Sequence, residues 1–136
     1  MDNRNNGAVS GARRRSILLV EDDDVLRTLT AELMTEMDYQ VFEVEDAPAA
    51  LAILRSARPL DLLMTDIGLP GMSGDQLMVI AQQLRPELPG LFASGYGDGF
   101  EPMVSDAVDA PRVAVIQKPY SPELLRTTLR TLFEQP

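Results

Sequence analysis

Five short aliphatic runs at regular intervals constrain the fold of this chain more than any other feature. They start at residues 17, 40, 61, 91 and 113, which lie 23, 21, 30 and 22 residues apart. A strand, a crossover helix and two short loops together need about this length of chain. The pattern predicts an α/β domain with a parallel sheet, whose strands cover residues 17–20, 40–44, 61–65, 91–93 and 113–117.

Helix signals fill the gaps between these runs. Asp46 is a suitable N-cap for a second helix, with Pro48 in its first turn. The last helix has Ser121 as N-cap and Pro122 at its first position. A weaker pattern between residues 95 and 111 predicts a short fourth helix. Apolar spacing predicts the buried faces of the first, third and last helices, which are Val25, Leu29, Leu33 and Met37; Leu77, Ile80, Ala81 and Leu84; and Leu125, Thr128, Leu129 and Leu132.

Charge and missing residue types exclude several functions. The chain has 12 Lys plus Arg against 21 Asp plus Glu, a net charge of -9, so its surface would repel nucleic acids and anionic membranes. It contains no cysteine and no histidine, which excludes disulfides, thiol catalysis and zinc sites of the usual ligand types. The groups that remain for chemistry are carboxylates, hydroxyls and a single lysine, Lys118.

Residues 1–15 differ in composition from the rest of the 136-residue chain. They carry four arginines against one acid and show no apolar periodicity. We expect a flexible basic tail here, followed by one domain over residues 16–136. The N-terminus has no hydrophobic signal segment, and no apolar run approaches ~18 residues, so a cytoplasmic protein is expected.

Polar residues follow four of the predicted strands at the point where each strand ends. Glu21 and the aspartates at 22–24 follow the first strand, and Asp66 follows the third. Ser94 ends the fourth strand, and Lys118 follows the fifth. Each residue alone would pass as a helix-start charge, a turn former or a surface group. Because the carboxyl ends of parallel strands lie at one sheet edge, where ligands bind, the four together favour a functional site.

Clustered carboxylates at this edge repel one another unless they are protonated or bridged by a cation. Two of them about 4 Å apart repel by ~4 kcal/mol at an effective dielectric of about 20. Oxygen ligands with room for water suit Mg²⁺, which binds one or two carboxylates together with a phosphate. Lys118 and Ser94 would give that phosphate a positive charge and a hydrogen-bond donor. Asp66 is then the carboxylate placed to attack a phosphoryl group.

A family resemblance rests on four stretches that occur in the expected order: ILLVEDDDVLR, DLLMTDIGLPGMSG, FASGYG and QKPYSPELL. From residue 16 to about residue 134, the chain resembles the receiver domain of bacterial response regulators in two-component systems. The resemblance implies a flavodoxin-like, doubly wound five-stranded sheet in the order 2-1-3-4-5 with about five helices. It also implies a phosphoprotein of signal transduction, which catalyses only the transfer of phosphate to its own Asp and the hydrolysis of that phosphate.

The resemblance gives each residue of the predicted site a role. Asp66 matches the phosphoacceptor, and Ser94 and Lys118 match residues that contact the phosphoryl group. Pro119 usually follows the lysine, and its peptide bond with Lys118 is a candidate cis bond. The expected Mg²⁺ ligands are Glu21, Asp22, Asp66 and Gly68, the last through its carbonyl.

Partners are also implied by the resemblance. The phosphoryl donor would be a sensor histidine kinase or a histidine phosphotransfer protein in a phosphorelay. A downstream protein would read the change on the face made by the predicted fourth helix, the fifth strand and the last helix. Tyr120 is expected either on this face or packed against the last helix. Neither nucleic acid nor membrane is an expected partner.

Three features depart from the common family pattern. Glu21 stands where many members have Asp, and metal binding should survive the extra methylene. Val115 stands where many members have a Tyr or Phe that turns inward on phosphorylation. Tyr96 and Gly68 occupy positions that influence how water reaches the acyl phosphate, so an altered phosphoryl lifetime is expected.

Other functions fit parts of the pattern. Haloacid-dehalogenase-like phosphatases also use an Asp nucleophile, but they need a second Asp two residues later, where this chain has Gly68. A flavodoxin relative would need a hydroxyl-rich phosphate loop in place of the four acids after the first strand. A phosphorylation-independent interaction module remains a further alternative, and Mg²⁺-dependent labelling would separate it from a receiver.

Overall fold

A computed structural model describes residues 13–95 and 112–134. The strands are β1 Ser16–Val20, β2 Gln40–Val44, β3 Leu62–Asp66, β4 Gly90–Ser94 and β5 Val113–Gln117, and the helices are α1 Asp24–Glu36, α2 Ala47–Leu54, α3 Gly74–Leu84 and α4 Pro122–Glu134. The strands form one parallel sheet in the order β2-β1-β3-β4-β5. The predicted flavodoxin-like fold and strand order are confirmed. The helix predicted between residues 95 and 111 falls outside the described residues.

Apolar side chains on both faces of the sheet make two core clusters. Every residue of β1 and β4 is buried. Ile17 packs with α1 and α4, including Met34 and Leu125. The next residue, Leu18, packs with α2 and α3, including Leu77. This alternation along a strand that is apolar throughout is what a sheet covered by helices on both faces requires.

Polar side chains cap the starts of the helices, and the caps of α2 and α4 are the residues that the sequence predicts. Asp46 caps α2 by accepting from the backbone N–H of Ala49 at 2.9 Å, and Ser121 accepts from the N–H of Leu124 at 3.0 Å at the start of α4. The start of α3 has a capping box between Ser73 and Gln76. Each cap stabilises its helix by about 1 kcal/mol.

The predicted buried face of α1 is wrong in its first half. Val25 and Leu29 are 70% and 53% exposed, whereas Thr30 and Met34 are buried. Successive residues at i+4 spacing rotate by about 40° around a helix, so a run of four such residues spirals across its surface. Only the carboxyl-terminal end of the predicted stripe, which includes Leu33, packs against the core.

The other two predicted faces hold in part, since Ile80 of α3 and Thr128 of α4 are only half-buried. Leu77 and Ala81 of α3 are buried as predicted, but Leu84 is exposed and Met78 is buried instead. Leu84 is the last residue of α3. The predicted leucines of α4 are all buried, and they are Leu125, Leu129 and Leu132. None of the four described helices combines the length and apolar character that crossing a bilayer requires.

Residues 13–15 contact the body of the domain. The guanidinium of Arg13 lies 2.8 Å and 3.1 Å from the two carboxylate oxygens of Asp61. Arg15 places its guanidinium 4.7 Å from the ring centroid of Phe133. Residues 1–12 lie outside the described residues, so the predicted tail and its boundary with the domain stay predictions.

A close backbone approach sets the position of α3 against β3. Gly74 donates its N–H to the carbonyl of Ile67 at 2.9 Å, and a Cβ at Gly74 would collide with the carbonyl oxygen of Asp66. The first turn of α3 can therefore lie against the end of β3 only because residue 74 has no side chain.

Candidate functional site

Three carboxylates meet at the carboxyl edge of the sheet. Glu21 and Asp22 follow β1, and Asp66 ends β3, which pairs with β1. One carboxylate oxygen from each residue lies within 4.8 Å of the others. Glu21 is buried, Asp66 is half-buried and Asp22 is exposed. The structure brings together the three side chains predicted to hold a metal ion.

Glu21 has hydrogen bonds to both carboxylate oxygens despite its burial. Its Oε1 accepts from Lys118 Nζ at 2.9 Å, and its Oε2 accepts from the backbone N–H of Asp23 at 3.0 Å. Burial raises the pKa of Glu21, and these two hydrogen bonds oppose the rise. The same turn is kept in place by Asp23, whose side chain caps α1.

Lys118 reaches from the end of β5 to two of the carboxylates. Its Nζ lies 2.9 Å from Glu21 Oε1 and 3.2 Å from Asp66 Oδ1. Burial lowers the pKa of Lys118, but the hydrogen bond and charge of Glu21, together with Asp66, outweigh this and raise it. The peptide bond between Lys118 and Pro119 is cis, as predicted.

Ser94 and Gly68 lie on the strands and loops around the same edge. Ser94 is buried at the end of β4, one residue beyond the pairing of Ala93 with Asp66. Its Oγ has the carbonyl of Gly95 at 3.4 Å, a long contact for a hydroxyl donor. Gly68 is exposed, and a Cβ there would meet nothing within 4 Å. Ser94, the predicted hydroxyl donor, therefore ends the strand that pairs with the strand of Asp66.

The donor set fits a hard divalent cation. All three clustered side chains offer carboxylate oxygens, and the chain has neither cysteine nor histidine to offer a softer ligand. Such oxygen donors, two of them on adjoining residues, are what Mg²⁺ uses in proteins. The ammonium of Lys118 compensates only part of the negative charge, which leaves the edge favourable for a cation.

A comparison with known families identifies this architecture. The family model described as the response regulator receiver domain matches residues 17–130. The chain belongs to the response-regulator receiver domains. Receiver domains are signalling modules of two-component systems, and they interact with histidine kinases or phosphotransfer proteins.

Known receiver proteins resemble this receiver domain over most of its length. The response regulator protein FleR of Pseudomonas aeruginosa is 34% identical over 96 residues, which cover 71% of this chain and 19% of FleR. The response regulator receiver protein CpdR of Brucella abortus is 32% identical over 107 residues, which cover 78% of this chain and 86% of CpdR. The crystal structure of the receiver domain from the hybrid histidine kinase CckA matches with a TM-score of 0.72 and 30% identity, over 88% of this chain and 99% of that one. The chain thus spans a small part of FleR and most of CpdR.

One cation near the site was missed in the sequence. Arg27 on α1 of this receiver donates to the backbone carbonyl of Glu21 at 2.9 Å and to Asp24 at 2.6 Å. Its Nε also lies 3.8 Å from Glu43 at β2. The available signal was its place as the first basic residue after four consecutive acids. Arg27 therefore binds the backbone of the acidic turn and the carboxylate of Asp24, which is not one of the three clustered carboxylates.

A hydroxyl pair next to the site was also missed. Thr30 of α1 and Tyr120 place their hydroxyl oxygens 2.6 Å apart. Tyr120 is partly buried against the core cluster of α1 and α4, which agrees with the second of its two predicted positions. Burial raises the pKa of Tyr120. The available signal was Thr30 itself, a hydroxyl residue next to the apolar residues of α1, because a buried hydroxyl needs a hydrogen-bond partner.

Proposed function

We propose that this receiver domain accepts a phosphoryl group on Asp66 from the phosphohistidine of a partner, in a step that requires Mg²⁺. The observation that carries the proposal is the position of Lys118, whose ammonium bridges Glu21 and Asp66 beside the acidic cluster. A metal site alone would not need an ammonium group at this distance from one of its ligands. A phosphoryl group would, because negative charge spreads over its oxygens during transfer.

The transfer is a displacement at phosphorus. A carboxylate oxygen of Asp66 forms a P–O bond while the P–N bond of the donor breaks, and the released imidazole takes a proton from solvent. Lys118, 3.2 Å from Asp66 Oδ1, places its positive charge where the phosphoryl oxygens would come to lie. The hydroxyl of Ser94, at the end of the neighbouring strand, would donate to one of those oxygens.

A metal ion is part of this proposal because the chain's own charges do not balance. An incoming phosphoryl group adds negative charge to three clustered carboxylates, two of which pair with the ammonium group of Lys118. When bound, Mg²⁺ would offset the charge of the carboxylates and of the phosphoryl oxygens. The residues that would hold it are Glu21, Asp22, Asp66 and, through its carbonyl, Gly68.

The phosphorylated state is proposed to change the face that a downstream protein reads. Ser94 would move toward the phosphoryl group, and this movement would alter the neighbouring β5 and the α4 helix that packs on it. Val115 of β5 is partly buried against the cluster of α2 and α3. With an aliphatic residue at that position, the change would depend on Ser94 and Lys118. A cytoplasmic location is part of the proposal.

A docking surface for the phosphodonor borders the site. Val25 and Leu29 are exposed apolar residues one turn apart on α1, directly after the acidic run. A phosphohistidine can reach Asp66 only if its protein rests on a surface next to this edge. We therefore assign the exposed face of α1 to the protein that carries the phosphohistidine.

Labelling with a small phosphodonor tests the proposal without a kinase. After incubation with Mg²⁺ and acetyl phosphate, intact mass measurement should show one added phosphoryl group. The variant Asp66→Asn should gain none, while Asp75→Asn, which removes an exposed acid from α3, should be labelled like the wild type. Unlabelled wild-type protein would favour the phosphorylation-independent interaction module instead.

A further inference from the structure

The turn that carries Lys118 is joined to α1 by a hydrogen bond between two hydroxyl groups. The oxygens of Thr30 and Tyr120 are 2.6 Å apart. Thr30 is 1% exposed, and Tyr120 is partly buried. Water competes little for hydroxyls in such surroundings, and a lost partner would leave a buried hydroxyl unpaired. This bond therefore fixes the turn more firmly than an exposed one would.

The other hydrogen bonds of this turn join it to elements other than α1. The backbone N–H of Lys118 donates to the carbonyl of Ser94 at 2.8 Å, which joins the turn to β4. Ser121 caps α4 through the N–H of Leu124. Among the hydrogen bonds of the described residues, the pair of Tyr120 and Thr30 connects the turn to α1.

The same helix also holds the partner of Lys118. Arg27, three residues before Thr30 on α1, donates to the carbonyl of Glu21 at 2.9 Å. The N–H of Asp23, the cap of α1, donates to the carboxylate of Glu21. Both members of the ion pair between Lys118 and Glu21 are thus anchored to α1. Arg27 anchors the turn of Glu21, and Thr30, about one helical turn later, anchors the turn of Lys118.

We propose that Tyr120 and Thr30 are positioning residues, which hold Lys118 at bonding distance from Glu21 and Asp66. The ring of Tyr120 packs against the core, and a phenylalanine ring would fill the same space. What the tyrosine adds is its hydroxyl, which holds the turn of Lys118 against α1. Without it, the ammonium group spends more time away from Asp66. Displacements of about 1 Å at a reacting centre are costly in rate.

The kinetic part of this inference rests on the proposed function, but the position of Lys118 can be measured without it. Lys118 is the one lysine of the chain, so isotope-labelled lysine gives a single ε-methylene NMR signal. The variants Tyr120→Phe and Thr30→Val each remove one hydroxyl, and Thr30→Ser keeps it. Tyr39→Phe is the control, because Tyr39 packs on the same core cluster at the other end of α1.

The experiment combines this signal with the rate of labelling by acetyl phosphate at saturating Mg²⁺. Tyr120→Phe and Thr30→Val should each shift the Lys118 signal and slow labelling by about three- to tenfold. The double variant should be no slower than either single variant, because both remove the same bond. Thr30→Ser and Tyr39→Phe should retain the wild-type signal and rate.

Either of two results would overturn the inference: an unshifted Lys118 signal in both single variants, or wild-type rates despite a shift. Effects that multiply in the double variant would also contradict a shared bond. Wild-type protein that is not labelled would refute the proposed function alone, and the Lys118 signal would still decide whether the hydroxyl pair positions the lysine.

Discussion

The ammonium nitrogen of Lys118 lies 2.9 Å from Oε1 of Glu21, a carboxylate that is only 4% exposed. The two residues are 97 positions apart in the chain and follow β5 and β1, which are not neighbours in the sheet. The ion pair crosses the end of β3, where Asp66 lies within 3.2 Å of the same nitrogen. Lys118 therefore stabilises a buried charge in the fold and stands beside the carboxylate proposed to react.

Replacing Lys118 with methionine should destabilise the domain. The change leaves Glu21 buried without its cation, and breaking such pairs costs several kcal/mol when both groups are fully buried. The side chain of Lys118 is 20% exposed, so we expect a loss of about 1–3 kcal/mol. Urea unfolding at neutral pH measures it. The double variant Lys118→Met with Glu21→Gln should recover part of the loss, and equal stability of wild type and Lys118→Met would contradict the role given to the pair.

The stability of the domain should fall in alkaline solution. The folded-state pKa of Lys118 is raised above its ordinary value of 10.5, so its contribution is complete below that pH and is lost as pH rises through the raised value. The raised pKa values of Tyr39 and Tyr120 act with the same sign. Urea midpoints should be measured from about pH 9 upward, because the ordinary pKa values of lysine and tyrosine lie just above that pH. They should decline less steeply in Lys118→Met than in the wild type. Parallel declines would show that Lys118 does not contribute.

Repulsion within the acidic cluster should destabilise the domain when no metal ion is bound, and the cluster should bind Mg²⁺ when the ion is added. Asp22→Asn removes an exposed charge from the cluster, so in a chelator it should be at least as stable as the wild type. Its affinity for Mg²⁺, measured by calorimetry, should fall by about tenfold. Asp75→Asn, outside the cluster, should bind Mg²⁺ like the wild type. Unchanged affinity in Asp22→Asn would remove Asp22 from the metal site.

Adding a methyl group at Gly74 should disturb the end of β3. The Cβ would collide with the carbonyl oxygen of Asp66, and overpacking of this kind costs about 1–3 kcal/mol. Gly68→Ala is the matched control, since its Cβ meets nothing within 4 Å, and its stability should stay within about 0.5 kcal/mol of the wild type. Thermal unfolding compares the two. Equal stability of both variants would mean that α3 can shift away from β3 at little cost.

Changes on the exposed surface of α1 should slow phosphoryl transfer from a protein donor and leave labelling by a small-molecule donor unchanged. Leu29→Asp puts a charge on the proposed docking face and should slow transfer from a phosphorylated histidine kinase that labels the wild type, by about tenfold or more. Labelling by acetyl phosphate should be unchanged. Val79→Asp is matched in exposure, 55% against 53%, but lies on α3. Equal slowing by both variants would point to general repulsion.

Local patterns in the sequence were sufficient to predict the sheet and the edge where the site lies. Strand boundaries follow from apolar runs, so the predicted ends of β1, β3 and β4 differ from the structure by no more than one residue, and those of β2 and β5 agree with it. The proximity of Glu21, Asp66 and Lys118 follows from topology, because parallel strands with crossovers end at one edge. Chemistry at strand ends is therefore accessible to sequence reasoning.

Contacts between distant elements were not predictable in the same way. The pairing of Thr30 with Tyr120 depends on how α1 rotates against the sheet, and apolar spacing placed the exposed Leu29 on the buried face instead. The bond from Arg27 to the carbonyl of Glu21 involves a backbone atom, which has no sequence signature. Side-chain partners of this kind are selected by tertiary packing.

Chemical trapping of the phosphorylated residue tests the central claim most directly. The protein is treated with acetyl phosphate and Mg²⁺, reduced with borohydride, which converts an acyl phosphate to an alcohol, and analysed by peptide mass measurement. The account predicts homoserine at residue 66, formed from Asp66, and no reduction when Mg²⁺ is replaced by a chelator. Reduction at Glu21 or Asp22 instead, or none at any carboxylate, would contradict it.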